Sequence, residues 1–518
     1  MKKNRCFHLV LLLITGIQLI NGSSLSGQTE KAPPRFIAED LDAYIQKAMD
    51  SFRIPGVAIC IVKDGKIIVG KGYGVLEINK PGKVDANTLF MIGSNTKAFT
   101  GTAAALLEFE NQCSLNDKII KWLPDFSMQD QWVAKEVSLN DALSHRIGME
   151  AYQGDFMYWL SDLPAEEVIR KFGQLTPRYP FRSQMGYTNV GYVIAGKCIE
   201  KISGMSWADF LRKRFFEPLQ MDRTLALTTN AMRKENVARA HTLVNDTLRL
   251  IPNPDIDNIA PCGSICSSAS DMSHWLMCQL DSGNYNDKEV LPFQVIQNTR
   301  NPRTIIGQAF APFGRGHFDL YGLGWRLTDY SGTEVISHGG AVDGFTSSVT
   351  LLPKEDLGFV ILTNSDKNML SLSLKWEIID AYLNLPFTNY SDRDLGYQQY
   401  LQKEENDYLK TKRDTILSNP KPALDLSQFT GRYTHSVYGW MNISRQGNTL
   451  IANFEHHPKL TGTLECLGGK RFLCTYSIPS FGTPVIRFEI ENGKVISMTL
   501  VVNENLDSST YKFIKASR

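Results

Sequence analysis

The chain has no excess of charge of either sign. Its 518 residues carry 55 Lys and Arg against 54 Asp and Glu. Bulk electrostatics therefore gives no reason to expect a nucleic-acid or membrane-surface partner. Metal-ligand spacing is also missing: the nine histidines are scattered, with neither HExxH nor paired-cysteine spacing, so no metal is expected. The sequence has no glycine-rich phosphate loop, and no cofactor is expected. It has no internal repeat, and past the N-terminus no run is long and apolar enough to span a bilayer. The nine cysteines lack the spacing of a small disulfide scaffold, and a chain this long buries a core without staples. Cys60 and Cys198 lie in apolar strand and helix patterns and read as buried free thiols. Cys466 and Cys474 flank an LGGKR turn, with the expectation that they face each other across a hairpin.

The N-terminus stands apart. MKKNR is positive, CFHLVLLLITGIQLI is apolar but short for a span, and NGSSLSGQTEKAPP is small and polar. That order reads as a signal peptide over 1–27, cleaved between Gly22 and Gln28. No cysteine follows the run to take a lipid. The mature protein is expected in the periplasm or outside the cell, with no stable membrane span after signal removal.

GVAICIVKDGKIIVGKGYGVLEI (56–78) is two β-rich runs around Asp64-Gly65, a hairpin signal. Residues 115–330 read mostly as helices and loops, and strands return over 334–366. The expectation is one α+β domain over 28–388, its sheet built from both ends of the segment. A helical and Pro-rich linker over 389–423 ends at Pro420 and Pro422. Residues 424–518 alternate strand-like around turns such as Asn492-Gly493, which suggests a small antiparallel β-barrel closed to remove its edges.

Three short stretches carry chemistry. In MIGSNTKAFTG (91–101), Ser94 precedes Lys97 by three residues at the start of an apolar helix, which puts both on one face. A serine hydroxyl needs a base. A lysine near pKa 10.4 must drop by roughly three units, about 4 kcal/mol, to act as that base at neutral pH. Burial drives it that way, and a helix start offers free N–H groups to an oxyanion. In MGYTNVGYVIAGKCIEKISG (185–204), Tyr187 can relay a proton. Asn189 can hold both Lys97 and a substrate amide, or else simply cap the helix. In SHGGAVDGF (337–345), His338 ends a strand, and Gly339 and Gly340 allow close backbone approach. Each stretch alone fits an ordinary helix end, cap or glycine turn.

Taken together and in this order, the three resemble the motifs of the serine β-lactamase-like and penicillin-binding-protein-like hydrolases, most closely the class C β-lactamase, D-aminopeptidase and esterase branch. DALSHRIGME (141–150), ASDMSHWL (269–276), YGLGW (321–325) and GFVILTNSD (358–366) extend the likeness over roughly 35–385. The resemblance implies a mostly antiparallel sheet flanked by helices, with a helical subdomain. It implies Ser94 as the acylated nucleophile and Lys97 with Tyr187 as coupled base and acid. Asn189, His338, Gly339, Gly340 and Ala341 would bind substrate, with the backbone N–H groups of Ser94 and Ala341 as the oxyanion hole. The tail resembles the lipocalin-like barrels appended to such hydrolases.

The chain departs from the pattern in places. His338-Gly339-Gly340 stands where relatives that destroy β-lactams carry Lys-Thr-Gly. A histidine near pKa 6.5 is mostly neutral at pH 7 and is expected to shape the pH profile. Arg146-Ile147 replaces small polar residues, Ser264 replaces a second glycine, and His145 is expected to be structural. His456-His457 is expected on the barrel surface. The function implied is an exported serine hydrolase acting through an acyl-enzyme on a small-molecule or short peptide substrate. A peptidase for D-amino-acid or cell-wall peptides, or an esterase, comes first. The alternatives are a slowly turning-over penicillin or cell-wall-peptide binding protein, and a β-lactamase. The oligomeric state is not legible.

Overall fold

The protein is described from a computed structural model over residues 32–309, 311–502, 506–507 and 509–517. The expected signal segment 1–27 lies outside the described residues. Strand β1 (Gly56–Lys63) is apolar at nearly every position and buried on both faces. Side-chain alternation sends Ala58, Cys60 and Val62 into one core and Val57, Ile59 and Ile61 into another. Such a strand needs cover on both sides. Helices α1 (Leu41–Phe52) and α5 (Leu370–Tyr382) fill the second core, whereas α2 (Thr96–Phe109), α3 (Asn189–Ser203) and α4 (Ala269–Leu280) build the first. The turn to β2 (Lys66–Gly74) has Asp64 at φ 50° and Gly65 at φ 69°, the left-handed pair that a two-residue hairpin requires.

Six further strands complete the sheet: β3 (Thr304–Gln308), β4 (Phe318–Tyr321), β5 (Arg326–Tyr330), β6 (Thr333–Val342), β7 (Phe345–Leu352) and β8 (Leu357–Thr363). Their order is β2-β1-β8-β7-β6-β5-β4-β3, with every neighbouring pair antiparallel. The expectation of an α+β domain with an antiparallel sheet built from both ends of the segment holds. The helical middle, however, was drawn too long, because β3, β4 and most of β5 lie before residue 330. They are short strands toward one end of the sheet, β3 at its edge, and turn apolar residues outward, Ile305 being 73% and Phe318 64% exposed, so they lack the apolar-inside, polar-outside alternation that marks a strand.

Helix α6 (Tyr390–Leu417) follows. Its first turn is anchored in the sheet domain, where the Tyr390 hydroxyl donates to Asp380 and the Ser391 N–H donates to Tyr44. Near its far end Arg413 reaches Glu465 and Thr475 of the tail. The segment is thus a strut, about 42 Å long at 1.5 Å per residue. The tail is a closed barrel of eight strands joined in sequence from Gly431–His435 to Thr510–Lys515. Phe429, Phe472 and Phe488 cluster in its interior with ring centroids 5.0–5.3 Å apart.

Two expectations for the barrel fail. Cys466 lies opposite Phe472, and Cys474 lies opposite Leu464. The hairpin register therefore keeps the two thiols apart, and both are free. His457 is not a surface residue. Its ring stacks on Phe156 of the sheet domain at 4.9 Å and 10°. Phe156 also meets Tyr438, Phe454 and Phe481 of the barrel, so the barrel docks by an aromatic cluster whose two sides are far apart in sequence.

Candidate active site

Ser94 sits in a single 3-10 turn, Gly93–Asn95, that runs into α2. Its neighbours on both sides are buried, and Ser94 alone is half-exposed. The turn is held against β6 and β7: Asn95 Nδ2 donates to Ser347 Oγ at 2.7 Å, and that hydroxyl donates to Ile92 O at 2.7 Å. Two glycines allow the approach. Gly93 has φ 53°, and a Cβ there would lie 2.8 Å from Ala341 N; a Cβ on Gly340 would lie 2.0 Å from Ile92 O.

At the second position of α2, Lys97 is fully buried. Its three N–H donors each find an acceptor: Ser94 Oγ at 3.0 Å, Asn189 Oδ1 at 2.8 Å and Cys262 O at 2.8 Å. Burial lowers the pKa of the amine, partly opposed by the Cys262 thiol, Asp155 and Tyr152. The Tyr187 ring lies beneath the amine, 4.9 Å from Nζ to centroid. Burial raises the phenol pKa, and Ser94 beside it tempers that rise.

Asn189 is the first residue of α3, and Thr188 occupies the cap position. The Asn189 side chain caps nothing. Nδ2 donates to Asp155 Oδ2 at 2.7 Å, which leaves Oδ1 to accept from Lys97 and so fixes the amide's orientation. Sequence reading missed Asp155. Nothing in the GDFMY stretch sets it apart, because its meaning comes from neighbours on other segments.

His338 lies on β6. Its Nδ1 is 2.6 Å from Gly339 O, which can only accept, so Nδ1 carries the hydrogen and Nε2 accepts from the Tyr321 hydroxyl at 2.9 Å. Burial first, then the charge of Lys97, pushes its pKa down to about 3. The imidazole is therefore neutral across the physiological range, which corrects the expectation that it shapes the pH profile. Strand β5 pairs with β6 only as far as Ser337, while β7 runs on to Val342. Residues 338–342 thus pair on one side alone among the described strands. Gly339 and Ala341 are exposed there.

The other departures resolve locally. Arg146 and Arg182 both bind the buried carboxylate of Asp141, so Arg146 faces an ion cluster. The Ser264 hydroxyl is engaged with the backbone carbonyls of Ala226 and Ala260. His145 is buried, accepts from the Thr188 N–H at 3.0 Å and packs its ring against Tyr187, tilted by 33° at 4.3 Å. It props the segment that carries Tyr187.

An antiparallel sheet with helices on both faces and a Ser-Lys-Tyr cluster where helix meets sheet defines the class of β-lactamase- and penicillin-binding-protein-like hydrolases. A family model described as Beta-lactamase matches residues 41–383, and the chain belongs to that family. A second model, a domain of unknown function (DUF3471), matches residues 418–515. Unguisins hydrolase ungD' of Aspergillus campestris is 26% identical over 439 residues, 80% of this chain and 79% of that protein. Protein flp of Staphylococcus aureus is 27% identical over 343 residues, 63% of each chain. Among solved structures, the octameric penicillin-binding protein homologue from Pyrococcus abyssi aligns with a TM-score of 0.56 at 22% identity, covering 92% of this chain and 100% of that one. A D-stereospecific amidohydrolase from Streptomyces sp. aligns with a TM-score of 0.53 at 21% identity, covering 66% and 98%.

Proposed function

We propose that the protein is an exported serine hydrolase that opens an amide or ester carbonyl through an acyl-enzyme on Ser94. The reading rests chiefly on the Lys97 amine, buried and depressed in pKa, 3.0 Å from Ser94 Oγ. In its neutral form Lys97 takes the Ser94 proton as the oxygen attacks the carbonyl. The N–H groups of Ser94 and Ala341 receive the developing oxyanion. Tyr187, beside Ser94, passes the proton to the leaving nitrogen or oxygen. Water then attacks the ester along the same path, and the acid leaves.

The one-sided stretch of β6 at Gly339–Ala341 suits an extended peptide backbone. A peptide of the D-amino-acid or cell-wall type is thus preferred, with simple esters next. The kinship with a protein named as a D-stereospecific amidohydrolase supports amide substrates. Neutral His338 offers no fixed cation for a β-lactam carboxylate. The cations beside it are engaged, Arg326 with Asp319 and Lys375 with Ser337. That weighs against strong β-lactamase activity.

The test is intact-mass labelling of the mature protein with a fluorescent penicillin and, separately, with a fluorophosphonate, using Ser94→Ala as control. Both reagents are expected on Ser94, with none on the variant. Fluorophosphonate alone would direct the search to ester and aminopeptidase substrates. Labelling without turnover of any peptide would make the protein a binder, and no labelling at Ser94 would end the serine-hydrolase reading.

A further inference from the structure

The barrel reaches toward the candidate site through a buried carboxylate. Asp507, in the loop before the last barrel strand, is buried and lies 353 positions from the Gly154 N–H that it meets. Its Oδ2 accepts from the N–H of Gly154 at 3.0 Å and of Phe156 at 3.4 Å, the residues on either side of Asp155. The Tyr511 hydroxyl donates to Asp507 from the barrel at 2.9 Å. Asp155 in turn accepts from Asn189 Nδ2, and Asn189 Oδ1 accepts from Lys97. A continuous path of hydrogen bonds and two peptide units thus runs from the barrel to the candidate base.

We propose that Asp507 and Asp155 are positioning residues for Lys97, so that the C-terminal barrel completes the active site and sets the ionisation of its base. The proposal rests on the serine-hydrolase reading for its consequence in turnover, and on the hydrogen-bond path and the charges along it for its effect on the amine.

The two carboxyls oppose each other in a buried space. Asp507 raises the pKa of Asp155, on top of a larger effect of burial, while Asp507 itself is pushed up by burial to about 6. Of the two, Asp507 gives up its proton more readily, and Asp155, hydrogen-bonded to Tyr158 and Asn189, is the one held back from ionising. The groups facing Asp155 from elsewhere include Lys97 on α2, Tyr152, Tyr187, the Cys262 thiol and Tyr438 in the barrel. Lys97 also faces Cys262, Tyr152 and Tyr187, and its charge is felt by His145 and His338. These two histidines are buried and depressed in pKa, and the tyrosines are raised. None of them becomes charged near neutral pH.

The sign follows. An ionised Asp155 raises the pKa of Lys97. Removing the Asp507 charge takes away one of the two causes that hold Asp155 back from ionising, so Asp155 favours the charged lysine more and Lys97 keeps its proton to a higher pH. Asp507→Asn is expected to move the rising limb of the pH profile for Ser94 acylation up by about one unit, about tenfold in rate below the limb. Adding Asp155→Asn to that variant removes the carboxylate that Asp507 controls and brings the limb back. Tyr511→Phe, which weakens support for the Asp507 charge, moves it the same way by less.

The experiment measures acylation rate against pH for the full-length wild type, the two single variants, Tyr511→Phe and the double variant. Thermal melts establish that each is folded. In parallel the Lys97 amine is titrated through its ε-carbon resonance in lysine-labelled protein, assigned by Lys97→Arg. A shift in Asp507→Asn that reverses in the double variant supports the relay. Superimposable profiles, or a shift that survives Asp155→Asn, overturn it. If wild-type Ser94 is never acylated, the function reading fails, yet the lysine titration still decides the relay by the same reversal.

Discussion

At the scale of single residues, charge state follows burial more than residue type. Lys97 and His338 are both bases, both deeply placed and both lowered, but with different consequences. Lys97 starts near 10.5 and is brought toward the range where it can accept a proton; His338 starts near 6.5 and is driven out of that range, to about 3. His338→Gln, which keeps a hydrogen-bonding group against Tyr321, is expected to leave the limbs of the pH profile where they are between pH 5 and 8. Disappearance of a limb near 6.5 would show that the imidazole titrates after all. Lys97→Arg retains a cation that cannot give up its proton, so Ser94 acylation is expected to fall by about 10²–10⁴-fold. Labelling rates measure this directly, and a loss below tenfold would move the base elsewhere.

At the scale of elements, the turn carrying Ser94 and strand β6 need each other's glycines, though not in the same way. Gly340 points into the turn, 2.0 Å from Ile92 O for an added Cβ, whereas an added Cβ on Gly339 meets nothing nearer than 3.9 Å. Gly340→Ala is expected to destabilise the protein by about 1–3 kcal/mol and to slow acylation. Gly339→Ala is expected to leave stability within about 0.5 kcal/mol while raising KM, because its methyl occupies the face offered to substrate. Denaturant unfolding and steady-state kinetics on the pair separate the two effects, and equal destabilisation would refute the assignment of faces. The same contrast explains what was legible beforehand. Turn chemistry is local, so Asp64-Gly65 and Asn492-Gly493 announced their hairpins, and both asparaginyl-type residues do take positive φ. Strands β3 and β4 gave no such sign, since short strands with Ile305 and Phe318 turned outward look like loops. Ser94, Lys97, Tyr187 and Asn189 were readable through order and spacing. Asp155 was not, being 34 positions from the Asn189 it orients.

At the scale of the whole molecule, the tail read as an appended module, yet the contacts describe a shared core. Phe156 of the sheet domain is enclosed by four barrel rings, Tyr438, Phe454, His457 and Phe481. Lys171 Nζ donates to Val437 O, and Asp343, at the end of the substrate-facing strand, accepts from Trp159 and from Ser480 of the barrel. An appended domain with few contacts melts by itself; one whose aromatic anchor lies inside its neighbour does not. Calorimetry of residues 28–518 is therefore expected to give a single unfolding transition. Phe156→Ala, which costs about 3–5 kcal/mol where a buried phenyl is lost, is expected to divide it into two. Two transitions already present in the wild type would mean that the ring cluster does not couple the domains. If the anchor does couple them, trimming the chain to its sheet domain removes Asp507 and strips the cover from Phe156. Such a truncated protein is then expected to acylate Ser94 poorly even though every residue of the Ser-Lys-Tyr cluster is still present.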